Sequence, residues 1–234
     1  MRAVWKVWIP VWLMACAAMG AEITLPTVRD AKISFHRSEK DFNYGKSHHL
    51  RTRGIQTGSG EVVLLDFDRD QLKAFADRHR TKQLAGTLSI FVRSVQGDSA
   101  KVEICTLDSA VDWNEGDKNG AQAEEGESCF TAARFGGEPW KTVKGKDVAN
   151  LRDLLYDKQA DSILTKKNSG SLEIKKDLIG QEVTFELDPA IVKHLASDKK
   201  CRGLVLFNRS AKTKVGFFSM DQHGKASGLT VVTK

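Results

Sequence analysis

Apolar and polar residues alternate along several short stretches of this chain, and a period of two is the mark of a strand with one buried face. Ile23 and Leu25 begin the pattern, followed by Ala31, Ile33 and Phe35. Leu88, Ile90 and Val92 alternate with Thr87, Ser89, Phe91 and Arg93, and Val183, Phe185 and Leu187 alternate with Thr184 and Glu186. One run departs from it: Val62-Val63-Leu64-Leu65 is uninterrupted and leads to Phe67, the pattern of a strand buried on both sides. Further strands are predicted over residues 50–54, 101–107, 203–207, 215–219 and 229–232. Gly58-Ser59-Gly60 and Gly97-Asp98 mark turns. Residues 70–80 place Leu72, Phe75 and Ala76 at helical spacing, and residues 148–164 read as an amphipathic helix. Asp188-Pro189 supplies the cap and first position of a short helix through His194 and Leu195. The predicted fold class is all-β: an antiparallel jelly-roll-like β-sandwich with short helical insertions.

The longest excursion without strand character lies between the strand ending near Leu107 and the one resuming near Leu172. Long loops on a β-scaffold are where function usually sits. Two tryptophans stand in it. Trp113 belongs to Asp112-Trp113-Asn114-Glu115-Gly116-Asp117, where Gly116 can take φ > 0 and close a tight loop. Trp140 follows Gly136-Gly137-Glu138-Pro139. An indole there is either a core plug under the loop or a plate for a ligand.

Residues 1–21 read as an export signal, with Arg2 and Lys6 ahead of a short apolar run broken by Pro10. Cleavage is expected near Ala21, after Ala18-Met19-Gly20; the rival reading is a lipobox at Leu13-Met14-Ala15-Cys16, with Cys16 lipidated. The first 21 residues hold two of the 36 basic residues and no acid, so 34 face 30 and the remainder carries +4. That excess suits an acidic polysaccharide, but no basic block argues for nucleic acid, and no stretch is long and apolar enough to be a transmembrane segment. Cys105, Cys129 and Cys201 remain after cleavage. In an oxidising compartment one pair is expected. A Cys105–Cys129 disulfide would staple the Trp113 loop at its base. The adjacent His48-His49 pair points to opposite faces of a strand and offers no metal spacing.

The order of motifs is similar to that of a DNRLRE domain, the group also described as carbohydrate-binding module family 96. The resemblance runs from about Val28 to Val232. It is carried by Asp30-Ala31-Lys32-Ile33, Asn43-Tyr44-Gly45 with Leu50-Arg51, Leu64-Leu65-Asp66-Phe67-Asp68, Leu88-Ser89-Ile90-Phe91-Val92, Trp113-Asn114-Glu115-Gly116 and Pro139-Trp140 with Gly145 and Asp147. Phe185-Glu186-Leu187, Gly203-Leu204-Val205-Leu206, and Phe217-Phe218-Ser219 before Leu229-Thr230-Val231 complete it. The chain departs from the pattern at Asp66, where Arg is usual, at Cys129-Phe130, at Met220, and in an extra helical stretch over residues 148–170. The resemblance implies a secreted sandwich that binds polysaccharide and performs no catalysis.

Candidate substrate contacts are Arg51, Arg53, Trp113, Glu115 and Trp140. The expected ligand is an acidic glycan such as alginate or pectin, bound by a monomer. Arg51 has a structural alternative, an ion pair with Glu115 or Asp30. Such modules often hold a structural calcium ion, for which Asp30 and Asp221 are the candidate ligands. Asp112, Glu115 and Asp117 form a carboxylate cluster that could serve an enzyme, but acids on a glycine loop are more often turn formers. The other function class is an extracellular structural or adhesion domain with a protein or envelope partner.

Overall fold

The computed structural model describes residues 20–54, 60–156, 170–210 and 212–234. Residues 1–19 of the expected export signal, with Cys16, the Gly58-Ser59 turn and residues 157–164 of the helix expected over 148–164 lie outside the described residues. What is described is an antiparallel β-protein with three short helices. The strands are β1 (Glu22–Ser34), β2 (Phe42–Asn43), β3 (His49–Arg53), β4 (Glu61–Phe67), β5 (Leu84–Gln96), β6 (Ser99–Asp108) and β7 (Ala121–Gln122). After them come β8 (Ala132–Arg134), β9 (Glu138–Pro139), β10 (Gly170–Lys175), β11 (Glu182–Leu187), β12 (Cys201–Asn208), β13 (Lys214–Phe218) and β14 (Gly228–Thr233). The helices are α1 (Arg69–Arg78), α2 (Leu151–Tyr156) and α3 (Pro189–Ser197).

Strand pairing sorts the long strands into two layers. β1 changes partner along its length: Glu22 to Pro26 pair with β14, and Thr27 to Ser34 pair with β4, with a register shift between Thr27 and Arg29. β5 carries β11 on one edge, and on the other β14 near its start and β13 near its end, with β3 beyond β13. This is the first layer. The second runs β1–β4–β12–β6–β10. Alternation then assigns the faces. Leu50, Leu88, Ile90, Val92, Phe185, Val215, Phe217, Leu229 and Val231 of the first layer meet Val63, Leu65, Phe67, Val102, Ile104, Leu204 and Leu206 of the second in one core. Helix α1, capped by Asp68 on Gln71 N–H, adds Leu72 and Phe75 to it. Helix α3, capped by Asp188 with Pro189 behind it, adds Ile191, Val192 and Leu195.

The second layer is apolar on its outer face as well. Ala31, Ile33, Val62, Leu64, Cys105, Leu107, Val205 and Phe207 point away from the first core, and every residue of β4 is buried. The long excursion folds over that face. It contributes Val111, Trp113, Ala133, Trp140, Leu151, Leu154 and Leu155 to a second core. Both indoles are fully buried, and each N–H finds a carbonyl: Trp113 Nε1 donates to Arg202 O at 2.8 Å and Trp140 Nε1 to Cys129 O at 3.0 Å. Gly116 sits at φ 78°, as the loop reading requires, packed on the amide of Asn43. That buried amide donates to Glu115 O and Ser128 O and accepts from Gly45 N and Lys118 N, so one side chain closes the loop from the other side.

The expected Cys105–Cys129 disulfide is not formed: Cys105, Cys129 and Cys201 are separate buried thiols. Cys105 stands on β6 opposite Val205 and turns its sulfur to the Val205 carbonyl at 3.8 Å. The Cys129 sulfur lies against Thr131 Oγ1 at 3.4 Å. The excursion is held by its apolar face and by Asn43, so the fold does not depend on a covalent staple at its base. Burial raises the pKa of all three thiols and keeps them protonated.

Two outcomes follow from this packing. In the chain from residue 22 onward, an aromatic-disulfide reagent should find no thiol in the native protein and three after unfolding without reductant. Trp140→Ala should lower stability by about 3–5 kcal/mol in a urea titration, because removing a fully buried indole leaves a cavity in the second core.

Candidate functional site

Trp113 and Trp140 are enclosed on all sides, so neither presents a ring to a ligand in this structure. Their surroundings are structural. The Arg29 guanidinium lies over the Trp113 ring with its centre 4.7 Å from the centroid, and donates to Trp113 O and Asp66. Asp112 lies 3.2 Å from the same guanidinium. Arg69, at the start of α1, reaches the other oxygen of Asp66 at 3.2 Å and the carbonyl of Cys201. The side chain of Asp66 is almost wholly buried between these two arginines. The cations come to Asp66 from β1 and α1. Asp112 therefore serves an ion network, and Asp117 an exposed pair with Lys118 at 2.7 Å. These are poor placements for an acid and base pair acting on a substrate.

Glu115 meets Asp30 on β1 just past the register shift between Thr27 and Arg29. Asp30 N–H donates to Glu115 Oε1 at 3.1 Å. The Asp30 carboxyl is fully buried and accepts from Ser219 Oγ at 3.1 Å and Met220 N at 2.6 Å. Burial is the main cause that pushes both carboxyls up to about 7. For Asp30 two hydrogen bonds oppose it and the nearby Asp221 adds to it. For Glu115 the Asp30 N–H opposes it, while Asp30 and Asp221 add their charge. The three carboxylates share a neighbourhood, but they do not close into a set of three His, Cys, Asp or Glu donors within 4.8 Å of one another. The reason is visible at Asp30, whose two oxygens are turned to Ser219 and Met220. The calcium ligands expected at Asp30 and Asp221 are thus not preassembled.

Arg51 and Arg53 do stand on one strand face. Register places them in cross-strand rows on the outer face of the first layer: Arg53–Lys214–Gln96, then Arg51–Gly216–Ser94, then His49 beside Phe218. Arg93, at the bulge between the last two rows, lies over the Phe218 ring at 5.6 Å and donates to His48 O at 2.9 Å. At the centre of the patch Gly216 has no side chain, and the His49 ring and the Ser94 hydroxyl take the space over it. A Cβ there would strike His49 Nε2 and Ser94 Oγ. The rows contain four cationic side chains, Arg51, Arg53, Arg93 and Lys214, and one carboxylate, the buried Glu61, which is the register partner of Arg53 on β4. His49 registers the field: burial first, then Arg93, Arg51 and Lys32, push its pKa down to about 4, so the imidazole is neutral near pH 7.

Arg51 is tied from behind. Its partner is neither Glu115 nor Asp30 but Glu61, which takes Arg51 Nε at 2.5 Å and Nη2 in a bidentate pair. Glu61 is buried and also 3.5 Å from Lys32 Nζ, which in turn lies 3.5 Å over the Tyr44 ring. One carboxylate thus faces two cations. Lys214, Arg93 and Phe218 were not singled out in the sequence. The signal that could have found them is their place, at alternate positions, on the strands flanking Arg51 and Arg53. No helix among the described residues is long and apolar enough to cross a membrane. No protein-family model matches the chain, and no curated protein is similar enough to be reported as a relative.

The raised carboxyls make a signed prediction. The folded chain holds these protons more tightly than the unfolded chain, so their contribution to stability is greatest below about pH 4 and falls as pH rises to about 7. His49, with its lowered value, works in the opposite direction, so the informative quantity is a difference. The melting temperature of the wild type minus that of Asp30→Asn should fall between about pH 4 and 7 and level off above about pH 8. A flat difference across that range would show that Asp30 titrates normally.

Proposed function

We propose that this chain is a secreted, non-catalytic carbohydrate-binding module of the DNRLRE type that engages an acidic polysaccharide as a monomer, through the outer face of β3, β13 and β5. The observation that carries this reading is the composition of that face. Four cations and one aromatic ring stand together there, and the one acid in the rows, Glu61, is buried. Positions on neighbouring strands lie about 5 Å apart and alternate positions along a strand about 7 Å apart, a spacing on the scale of successive sugars in a charged polymer. Planar guanidinium groups at Arg53 and Arg93 suit carboxylates, and Phe218 suits the apolar face of a sugar ring. The tight partners of Asp112, Asp117 and Glu115 favour a binding role over a catalytic one.

The test is retardation in a gel containing alginate or pectin, at low and at physiological salt. Exposed ion contacts contribute at most about 1 kcal/mol each, so binding should be weak, depend on several contacts at once, and decline as the screening length shrinks from about 30 Å to about 8 Å. Arg93→Ala with Lys214→Ala should weaken retardation about tenfold or more and leave the melt within a few degrees. Arg51→Ala is the wrong probe, since it removes the bidentate partner of buried Glu61, leaves only Lys32 at 3.5 Å, and so mixes a loss of binding with a loss of stability. A double variant retarded like the parent would remove this face from the proposal. A parent that ignores acidic glycans but is retained by envelope fractions would favour the adhesion role.

A further inference from the structure

A second constellation lies away from the strand face, at the base of the excursion. Asp108 is the last residue of β6 and Cys201 the first of β12, and the two are register partners. Side chains of such partners project from the same face about 5 Å apart. Helix α3 crosses there and brings His194 to them, with His194 Nε2 2.8 Å from Asp108 Oδ1. The ligand atoms of Asp108, His194 and Cys201 all lie within 4.8 Å of one another. Asp108 and Cys201 are buried and His194 is partly open, so the cluster has an enclosed base and one side toward solvent.

We propose that Asp108, His194 and Cys201 form a site for a divalent cation of the zinc class. The donor set selects the metal. One sulfur, one imidazole nitrogen and one carboxylate oxygen suit a borderline cation with tetrahedral preference, and a thiolate is a poor ligand for calcium or magnesium. Charge balance agrees: a carboxylate and a thiolate neutralise the ion, as a largely buried site requires. The sulfur–metal bond forms as the Cys201 S–H proton leaves to solvent, with no change of oxidation state. An outer partner is also in place, since Asp198 Oδ2 lies 3.7 Å from His194 Nδ1, the nitrogen not used for the metal. The fourth position is left to water on the open side. Bound metal would tie α3 to the β6–β12 pair. That pair also anchors the outer layer: Ser109 N–H donates to Lys200 O at 2.9 Å, Arg202 Nε to Ser109 O at 3.1 Å, and Arg202 O receives the Trp113 indole.

The experiment is a titration of the full chain, stripped with chelator, with Co²⁺ alone as an optical probe and then with Zn²⁺. One equivalent of Co²⁺ should give a near-ultraviolet thiolate-to-cobalt band together with visible bands of tetrahedral intensity, both abolished by Zn²⁺. Zn²⁺ should raise the melting temperature by several degrees, and Ca²⁺ should not. Cys201→Ser should lose the thiolate band, and Cys105→Ala should keep it. His194→Gln leaves the sulfur in place and should weaken Co²⁺ at least tenfold. This variant decides the matter if Cys201→Ser does not fold. No thiolate band in the parent, a band that survives Cys201→Ser, or an unchanged affinity in His194→Gln would each overturn the site and leave Asp108–His194 as an ordinary hydrogen-bonded pair.

Discussion

The structure depends on one constraint: the β1–β4–β12–β6 layer is apolar on both faces. A sheet that is apolar on one side is satisfied by a single partner. This one needs two, and the first layer can cover only one of them. Val62, Leu64, Val205 and Phe207 would otherwise face water, at a cost of about 1.5–3 kcal/mol for each side chain. The excursion between β6 and β10 is the second cover. It has little regular structure, yet two buried indoles with satisfied N–H groups and the amide of Asn43 give it fixed attachment points. A loop that looks like a place for function is here largely a wall.

Charge is buried along with this wall, in two places. Asp66 lies between Arg29 and Arg69, and Glu61 lies between Lys32 and Arg51. Each carboxylate is almost inaccessible and faces two cations; in the Asp66 cluster Asp112 supplies a second acid, 3.2 Å from Arg29 and 3.8 Å from Arg69. Buried pairs of this kind add little net stability against an apolar core, but removing one partner is severe because the remaining charge cannot rehydrate. The Asp66 cluster ties β1, β4, α1 and the 112 loop together. The Glu61 cluster ties β3 to β1 and β4 and orients Arg51. The basic character of the first layer's outer face is partly a consequence of how the sandwich edge is closed.

The two faces of the molecule therefore differ in kind. The outer face of the second layer is sealed and structural. The outer face of the first layer is open, polar along β14 and β11 through pairs such as Thr24–Thr230 and Ser89–Thr184, and cationic along β3 and β13. A ligand approaching the open face meets rigid strands rather than a loop, so its contacts are set by register and bulge geometry. The bulge at Arg93 matters for that reason: it turns the guanidinium over Phe218 and toward the patch.

Much of this was legible in the residues themselves. Period-two alternation places β1, β5 and β11, the unbroken run at Val62-Val63-Leu64-Leu65 announces a strand buried twice, and Asp188-Pro189 starts α3 where it begins. These are local effects, set by steric period, hydrophobicity and capping within a few residues. The pairing partners were not legible, because most join residues scores of positions apart, and even the ten-residue step from Arg51 to Glu61 is set by how β3 meets β4. Arg51 finds Glu61 rather than Glu115 or Asp30. Cys105 faces Val205 rather than Cys129, and Cys201 comes to stand beside Asp108 and His194. Lys214 and Arg93 join Arg53 and Arg51 only when β13 is laid between β3 and β5. The sequence by itself determined which residues would be strand, helix and core. Which charges and donors meet was decided by strand register, since a shift of one residue would send each of these side chains to the opposite face.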